Sequence, residues 1–199
     1  FLQYLCKQIY KTIKMSDINE IVAKLKQGET MLYPTDTILG LGCDAKNEAA
    51  IEKIYQIKNR PSSKSLIILV DSPKMLQEIV EVPELAWDLI DLNEKPITII
   101  YDNPKGLPQS LIAEDNTIAI RLTEDLFCKK IIGKLGGPIV STSANLSGEP
   151  SPKVFSEVNP TILEQVDFYP EETKTFVPQF TASTIIKLGL DNEVKVIRE

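Results

Sequence analysis

A chain of 199 residues with 43% apolar and 25% charged side chains has the make-up of one ordinary globular domain, long enough to bury roughly 70% of its unfolded surface. Its formal net charge of −6 argues against a protein that coats nucleic acid nonspecifically, while leaving room for a basic cleft on an acidic body. No histidine occurs, which excludes Ser-His-Asp and Cys-His catalysis and removes the commonest transition-metal ligand.

Cys6, Cys43 and Cys128 are odd in number and far apart, so they read as reduced thiols of a cytoplasmic protein, and a zinc site is disfavoured. No apolar run approaches the roughly 20 residues that span a bilayer, so no membrane partner is expected. Phe1 to Leu5 is too short for a signal-peptide core and is followed by Lys7, Lys11 and Lys14. Met15-Ser-Asp17 offers an original start of translation. Residues 1–15 are therefore set aside as an N-terminal extension, and residues 16–199 form the domain.

Ser16 or Asp17 can cap a helix whose apolar positions Ile18, Ile21, Val22 and Leu25 recur at helical spacing, with Gly28 past its end. A strand from Thr30 to Tyr33 is cut by Pro34, and a second apolar run, Ile38 to Cys43, is broken by glycines. Asn47 caps the next helix, where Ile51, Ile54, Tyr55 and Lys58 share a face. Leu66 to Val70 has strand length and suits a sheet buried on both sides. Asp71-Ser-Pro73 opens a helix to about Val80, and Pro83 to Leu92 repeats the helical pattern. Ile97 to Tyr101 and Thr117 to Leu122 read as strands, with a turn at Asn103 to Gly106. Asp125 to Leu135 is helical, and Ile139 to Thr142 is a strand running into the polar loop Ser143 to Gly148. Between Ser151 and Pro178 the pattern weakens to one short helix, Val154 to Val158; strands Thr184 to Lys187 and Val194 to Ile197 follow. Alternating strands and helices make the class α/β, one twisted sheet with helices against it.

Several stretches carry candidate chemistry. Gly40-Leu-Gly42-Cys-Asp-Ala45 matches a relaxed dinucleotide fingerprint, but Thr35-Asp-Thr37 separates it from its strand and basic residues stand where a ribose-binding acid belongs. Ser143-Ala-Asn145 has no S-x-x-K partner, which removes the penicillin-binding reading. Thr35-Asp-Thr37 serves either as a turn that satisfies its own amides or as a polar contact to a ligand. Lys58, Arg60 and Lys64 taken alone read first as a solvated helix end. Arg121 ends the alternation Thr117-Ile-Ala-Ile-Arg121, sharing a face with Thr117 and Ala119, and an arginine on such a small-residue face wants an anion. Ser141-Thr-Ser143 sits at a strand end, where open α/β sheets place ligands. Together these features suit a polyanion such as a nucleoside triphosphate.

The segments Tyr33 to Ala45, Lys58 to Ile67, Ile118 to Arg121, Ser141 to Ser151 and Thr181 to Thr184 resemble, in order, those of the YrdC-type threonylcarbamoyl-AMP synthases. The resemblance implies a single domain with a twisted mixed parallel and antiparallel sheet, flanking helices and a large concave basic cavity. It implies formation of threonylcarbamoyl-AMP and pyrophosphate from L-threonine, bicarbonate and ATP with Mg2+, a nucleotidyl transfer. The adenylate would pass to threonylcarbamoyl transferase proteins that modify the tRNA adenosine beside the anticodon. By similarity, Thr37, Arg121, Ser141 and Ser183 would hold threonine; Lys58, Arg60, Lys64, Thr117, Ser143, Asn145 and Ser151 would hold ATP. Lys58, Arg60 and Arg121 would carry catalysis through charge neutralisation, with Mg2+ held by the phosphates. Some members have histidine where this chain has Leu69. Two rival readings use the same concavity: a tRNA or double-stranded RNA binder without chemistry, and a YciO-like paralogue acting on another substrate.

Overall fold

The computed structural model describes residues 17–60, 66–190 and 193–198. Caps set the helix starts as the sequence predicts. The Asp17 carboxylate accepts from the Asn19 amide at 2.8 Å and opens α1 (Ile18–Lys26), and Gly28 follows it at φ 85°. Asn47 caps α2 (Glu48–Ile57), Ser72 with Pro73 opens α3 (Pro73–Ile79), and Pro83 precedes α4 (Glu84–Leu92). Asp125 caps α5 (Leu126–Leu135), which Gly136 ends in the left-handed conformation. Lys58 stands just past α2 as its C-cap rather than on its helical face.

The weakly patterned stretch before the last strands differs from expectation. The helix expected at Val154 to Val158 is a single 3-10 turn, Phe155–Glu157. An α-helix, α6 (Pro160–Gln165), lies further on, capped by Asn159 with Pro160 at its first position, and another 3-10 helix spans Glu171–Thr175. With six residues and Ile162 as its buried side chain, α6 is too short to show a period.

Eight strands form one mixed sheet: β1 (Met31–Tyr33), β2 (Gly40–Gly42), β3 (Ile67–Val70), β4 (Ile97–Asp102), β5 (Thr117–Leu122), β6 (Ile139–Ser143), β7 (Thr184–Leu188) and β8 (Val194–Arg198). Their spatial order is β1-β2-β6-β3-β5-β4-β7-β8, with β3/β5 and β4/β7 parallel and the other pairs antiparallel. Two strands are shorter than their apolar runs. Thr30 leaves β1 because its amide and hydroxyl both donate to Asp167, at 2.7 and 2.8 Å. Ile38 leaves β2 because its carbonyl accepts the Thr35 hydroxyl at 2.7 Å.

Register divides the sheet into two unlike faces, since paired residues share a side. One face carries Leu32, Leu41, Val140, Ile68, Val70, Ile118, Ile120, Ile99, Tyr101 and Ile186, all in a core closed by α2, α3, α4 and α6. On the other, α1 and α5 cover only Met31, Tyr33, Leu69 and Ile139. Beyond them lie Ser141, Ile67, Ala119 and Ile100, in register across β6, β3, β5 and β4 and left without a helix. Leu69, where some relatives place histidine, is fully buried beneath α1 and α5.

Gly42 shows how closely β2 lies on β6: a Cβ there would run into the Val140 carbonyl and stand 2.7 Å from the Tyr33 ring. Tyr33 cannot swing away without losing its own bond to that carbonyl, at 3.3 Å. Gly42→Ala is expected to destabilise the fold by about 1–3 kcal/mol, read as a lowered urea midpoint at unchanged slope. An unchanged midpoint would show that β2 has room to move.

Candidate active site

The uncovered face is the floor of a half-open cleft of about 210 Å³. Ser141, Ile67, Ala119, Ile100 and Ile185 form the floor; Thr35, Thr37, Arg60, Arg121, Ser143, Ser151, Ser183 and Arg198 surround it. Of the residues expected from sequence, the structure brings Thr37, Arg60, Arg121, Ser141, Ser143, Ser151 and Ser183 to this one cleft. Lys58, Thr117 and Asn145 lie outside its lining, and Lys64 falls outside the described residues.

Arg121 is 5% exposed. Its Nη1 donates to the Thr37 hydroxyl at 3.1 Å and its Nη2 lies 3.0 Å from Asp36 Oδ1. The anion that the small-residue face calls for is thus, in part, a side chain of the same chain. Burial pushes the Asp36 carboxyl up, and the Arg121 charge pulls against it. The turn between β1 and β2 orients these groups. The Thr35 hydroxyl gives its proton to the Ile38 carbonyl, so Thr37 must be the donor across the 3.0 Å Thr35–Thr37 contact. That leaves the Thr37 oxygen to accept from Arg121. The turn satisfies its own backbone and also presents Thr37 to the cleft.

Lys58 is 1% exposed, not a solvated helix end. Its ammonium donates to the carbonyls of Ser143 and Asn145, the latter at 2.7 Å, tying the polar loop after β6 to the end of α2. The Ser147 amide returns a bond to the Lys58 carbonyl at 2.9 Å. Burial, with a smaller push from the Arg60 charge, takes the Lys58 pKa down to about 8. Asn145 turns into the same loop, donating to the carbonyls of Leu146 and Glu149 at 2.9 and 2.7 Å. Thr117, on the same face as Ala119 but outside the cleft lining, donates to Asp115 at 2.7 Å.

Arg198 is a cleft residue that sequence reasoning missed. Strict alternation through β8 would put it on the side of Val194 and Val196, towards the core. A bulge opposite Ile185/Ile186 instead pairs Arg198 with Ile185, on the cleft side. There its Nε and Nη2 donate to the Ser183 carbonyl at 3.1 and 2.7 Å, and the Ser183 hydroxyl meets Thr98 at 2.8 Å. Burial, with the Arg121 charge second, lowers the Arg198 pKa.

An open mixed sheet with one face partly bare, its cleft ringed by guanidinium groups and hydroxyls, defines an α/β protein, and such groups are suited to anions. Residues 23–199 match the Sua5, YciO and YrdC family, described by the phrase "Telomere recombination", and the chain belongs to that family. It is similar to the threonylcarbamoyl-AMP synthase of Pseudoalteromonas translucida, 36% identical over 165 residues covering 79% of this chain and 88% of that one. The threonylcarbamoyl-AMP synthase of Photobacterium profundum is 29% identical over 189 residues, covering 88% of this chain and all of the other. Among solved structures, P. abyssi Sua5 complexed with L-threonine is 28% identical with a TM-score of 0.74 over 86% of this chain. A double variant of the same P. abyssi protein superposes with a TM-score of 0.81 at 27% identity over 91% of this chain; the match spans only 55% of that longer chain. E. coli YciO superposes at 0.77 with 26% identity, covering 92% of this chain and 88% of YciO.

Lys58→Met removes the donor from two carbonyls while keeping most of the buried volume. It is expected to cost roughly 2–4 kcal/mol in urea unfolding and to speed hydrogen exchange at the Ser147 amide. Wild-type exchange at Ser147 would contradict the tie between loop and helix.

Proposed function

We propose that the cleft joins L-threonine, bicarbonate and ATP into threonylcarbamoyl-AMP and releases pyrophosphate, so that the chain is a nucleotidyltransferase. One observation carries the reading: a buried arginine bonded to the Thr37 hydroxyl, with Ser141 on the same floor, shares a cleft with Arg60, Ser143, Ser151 and Arg198. The first group suits a small zwitterion. The second suits a chain of phosphates extending out of the open side.

In this reading the threonine amine, losing a proton to solvent, attacks the carbon of CO2 formed by dehydration of bicarbonate. A carbamate oxygen then attacks the α-phosphorus, the bond from that phosphorus to the bridging oxygen breaks, and pyrophosphate leaves with the electron pair. No protein nucleophile takes part. The chain contributes position and charge compensation. Arg121 receives the threonine carboxylate, Ser183 and Ser141 border the amino acid, and Arg60, Arg198 and Lys64 offset phosphate charge. Lys58 acts on ATP through the loop that carries Ser143, and Asn145 shapes that loop. The lining offers hydroxyls and cations rather than carboxylates, which fits Mg2+ arriving with the triphosphate and held by phosphate oxygens. The adenylate is passed to threonylcarbamoyl transferase proteins acting on tRNA in the cytoplasm. No helix among the described residues is long and apolar enough to cross a membrane.

Labelled bicarbonate and ATP, offered with each amino acid in turn, should give an acylated AMP with threonine alone. Product with no amino acid preference would leave only the fold in place. Each charged hydrogen bond is worth about 1.5–3 kcal/mol, so Arg121→Ala should lower threonine-dependent pyrophosphate release about tenfold to a hundredfold. Wild-type turnover in that variant would remove Arg121 from the site.

A further inference from the structure

We infer that Asp36 is a positioning residue: from behind the cleft wall it holds the Arg121 guanidinium in the plane that receives a substrate carboxylate. The inference rests on the assignment of Arg121 to threonine made above. Asp36 does not line the substrate cleft. It opens instead on a second hollow of about 700 Å³, bordered by Pro34, Leu122, Asp125, Phe176 and Phe180. Arg121 faces the first cleft and Asp36 the second, so their ion pair at 3.0 Å forms part of the partition between them.

Two restraints act on different nitrogens of one planar group: Nη1 donates a hydrogen bond to the Thr37 hydroxyl, and Nη2 is drawn to the Asp36 carboxylate by an ion pair that lies outside hydrogen-bond alignment and leaves Oδ1 without a hydrogen-bond partner among the described residues. Together they hold two corners of the fork, where a single partner would leave it free to turn. Nε is buried with no hydrogen-bond partner among the described residues, and each Nη has a second N–H, so donor capacity remains after the clamp is made. Asp36 is itself 15% exposed and backed by the fully buried Thr123, whose hydroxyl lies 3.5 Å from its Oδ2. Without the carboxylate, Arg121 would hold a nearly buried charge with no other ion-pair partner among the described residues and would turn toward solvent in the open cleft. The site would then meet threonine with its main carboxylate receptor out of place.

The test compares Asp36→Asn and Asp36→Glu with the wild type in steady-state kinetics. A second measurement maps phenylglyoxal labelling of Arg121 by mass spectrometry. Asp36→Asn is expected to raise KM for threonine about tenfold, leave KM for ATP within about twofold, and speed labelling of Arg121 severalfold. Asp36→Glu should restore part of both. If the wild type shows no threonine-dependent reaction, the functional reading falls, while the labelling rates still decide whether Asp36 holds the arginine. Unchanged labelling and unchanged KM for threonine in Asp36→Asn would overturn the inference. Equal rises in KM for both substrates, without faster labelling, would do the same by marking a general structural defect.

Discussion

A guanidinium at 5% exposure, on a face where its in-register neighbours are Leu69 of β3 and, one pair along, Ala119 of its own strand, is the constraint to which the cleft answers. A charge at that depth must be compensated by an anion and by hydrogen bonds, or it costs several kcal/mol. Asp36 and Thr37 supply both from a turn that Pro34 separates from β1 and that Thr35 closes on itself. The compensation is incomplete by design of the geometry, because Nε keeps no partner among the described residues. A receptor already neutralised by its own chain, yet with spare donors, suits a ligand that carries charges of both signs.

The asymmetry of the sheet makes room for that receptor. Helices cover one face except at its β8 edge, where Val194 and Val196 stay exposed, and cover the other only at the end beneath α1 and α5. The bare remainder would be an apolar liability were it not built from Ser141, Ala119 and partly covered isoleucines, with three arginines at its margin. Elements far apart in the chain reach the same hollow: the β1–β2 turn, Arg60 in the segment beyond α2, the end of β6 and the last residue of β8. The Lys58 ammonium is the tie between two of them. Its burial depresses the pKa to about 8, yet the two carbonyls it serves define where the loop after β6 can lie.

Much of this was legible in the sequence, for reasons that can be named. Thr117 to Leu122 is a strand with the boundaries its alternation predicts, because a period of two survives wherever one face is packed and the other is not. Caps at Asp17, Asn47 and Ser72 were readable because they act within three residues of the chain. What escaped depends on contacts distant in sequence or on a broken period. The Asp36–Arg121 pair joins residues 85 positions apart by their numbering, and nothing local distinguishes it from a turn acid and a strand-end cation. Arg198 was hidden by a bulge that reverses its side. Lys58 looked solvated because a lysine beyond a helix end usually is, and only the folded loop shows its two carbonyl partners.

A crystal structure with L-threonine and a non-hydrolysable ATP analogue tests the central claim most directly. The predicted result places the threonine carboxylate within hydrogen-bond distance of the Arg121 guanidinium, still paired with Asp36, and the triphosphate along Arg60 and Ser143 in the same cleft. Threonine bound away from Arg121, or phosphates seated on the helix-covered side of the sheet, would contradict it.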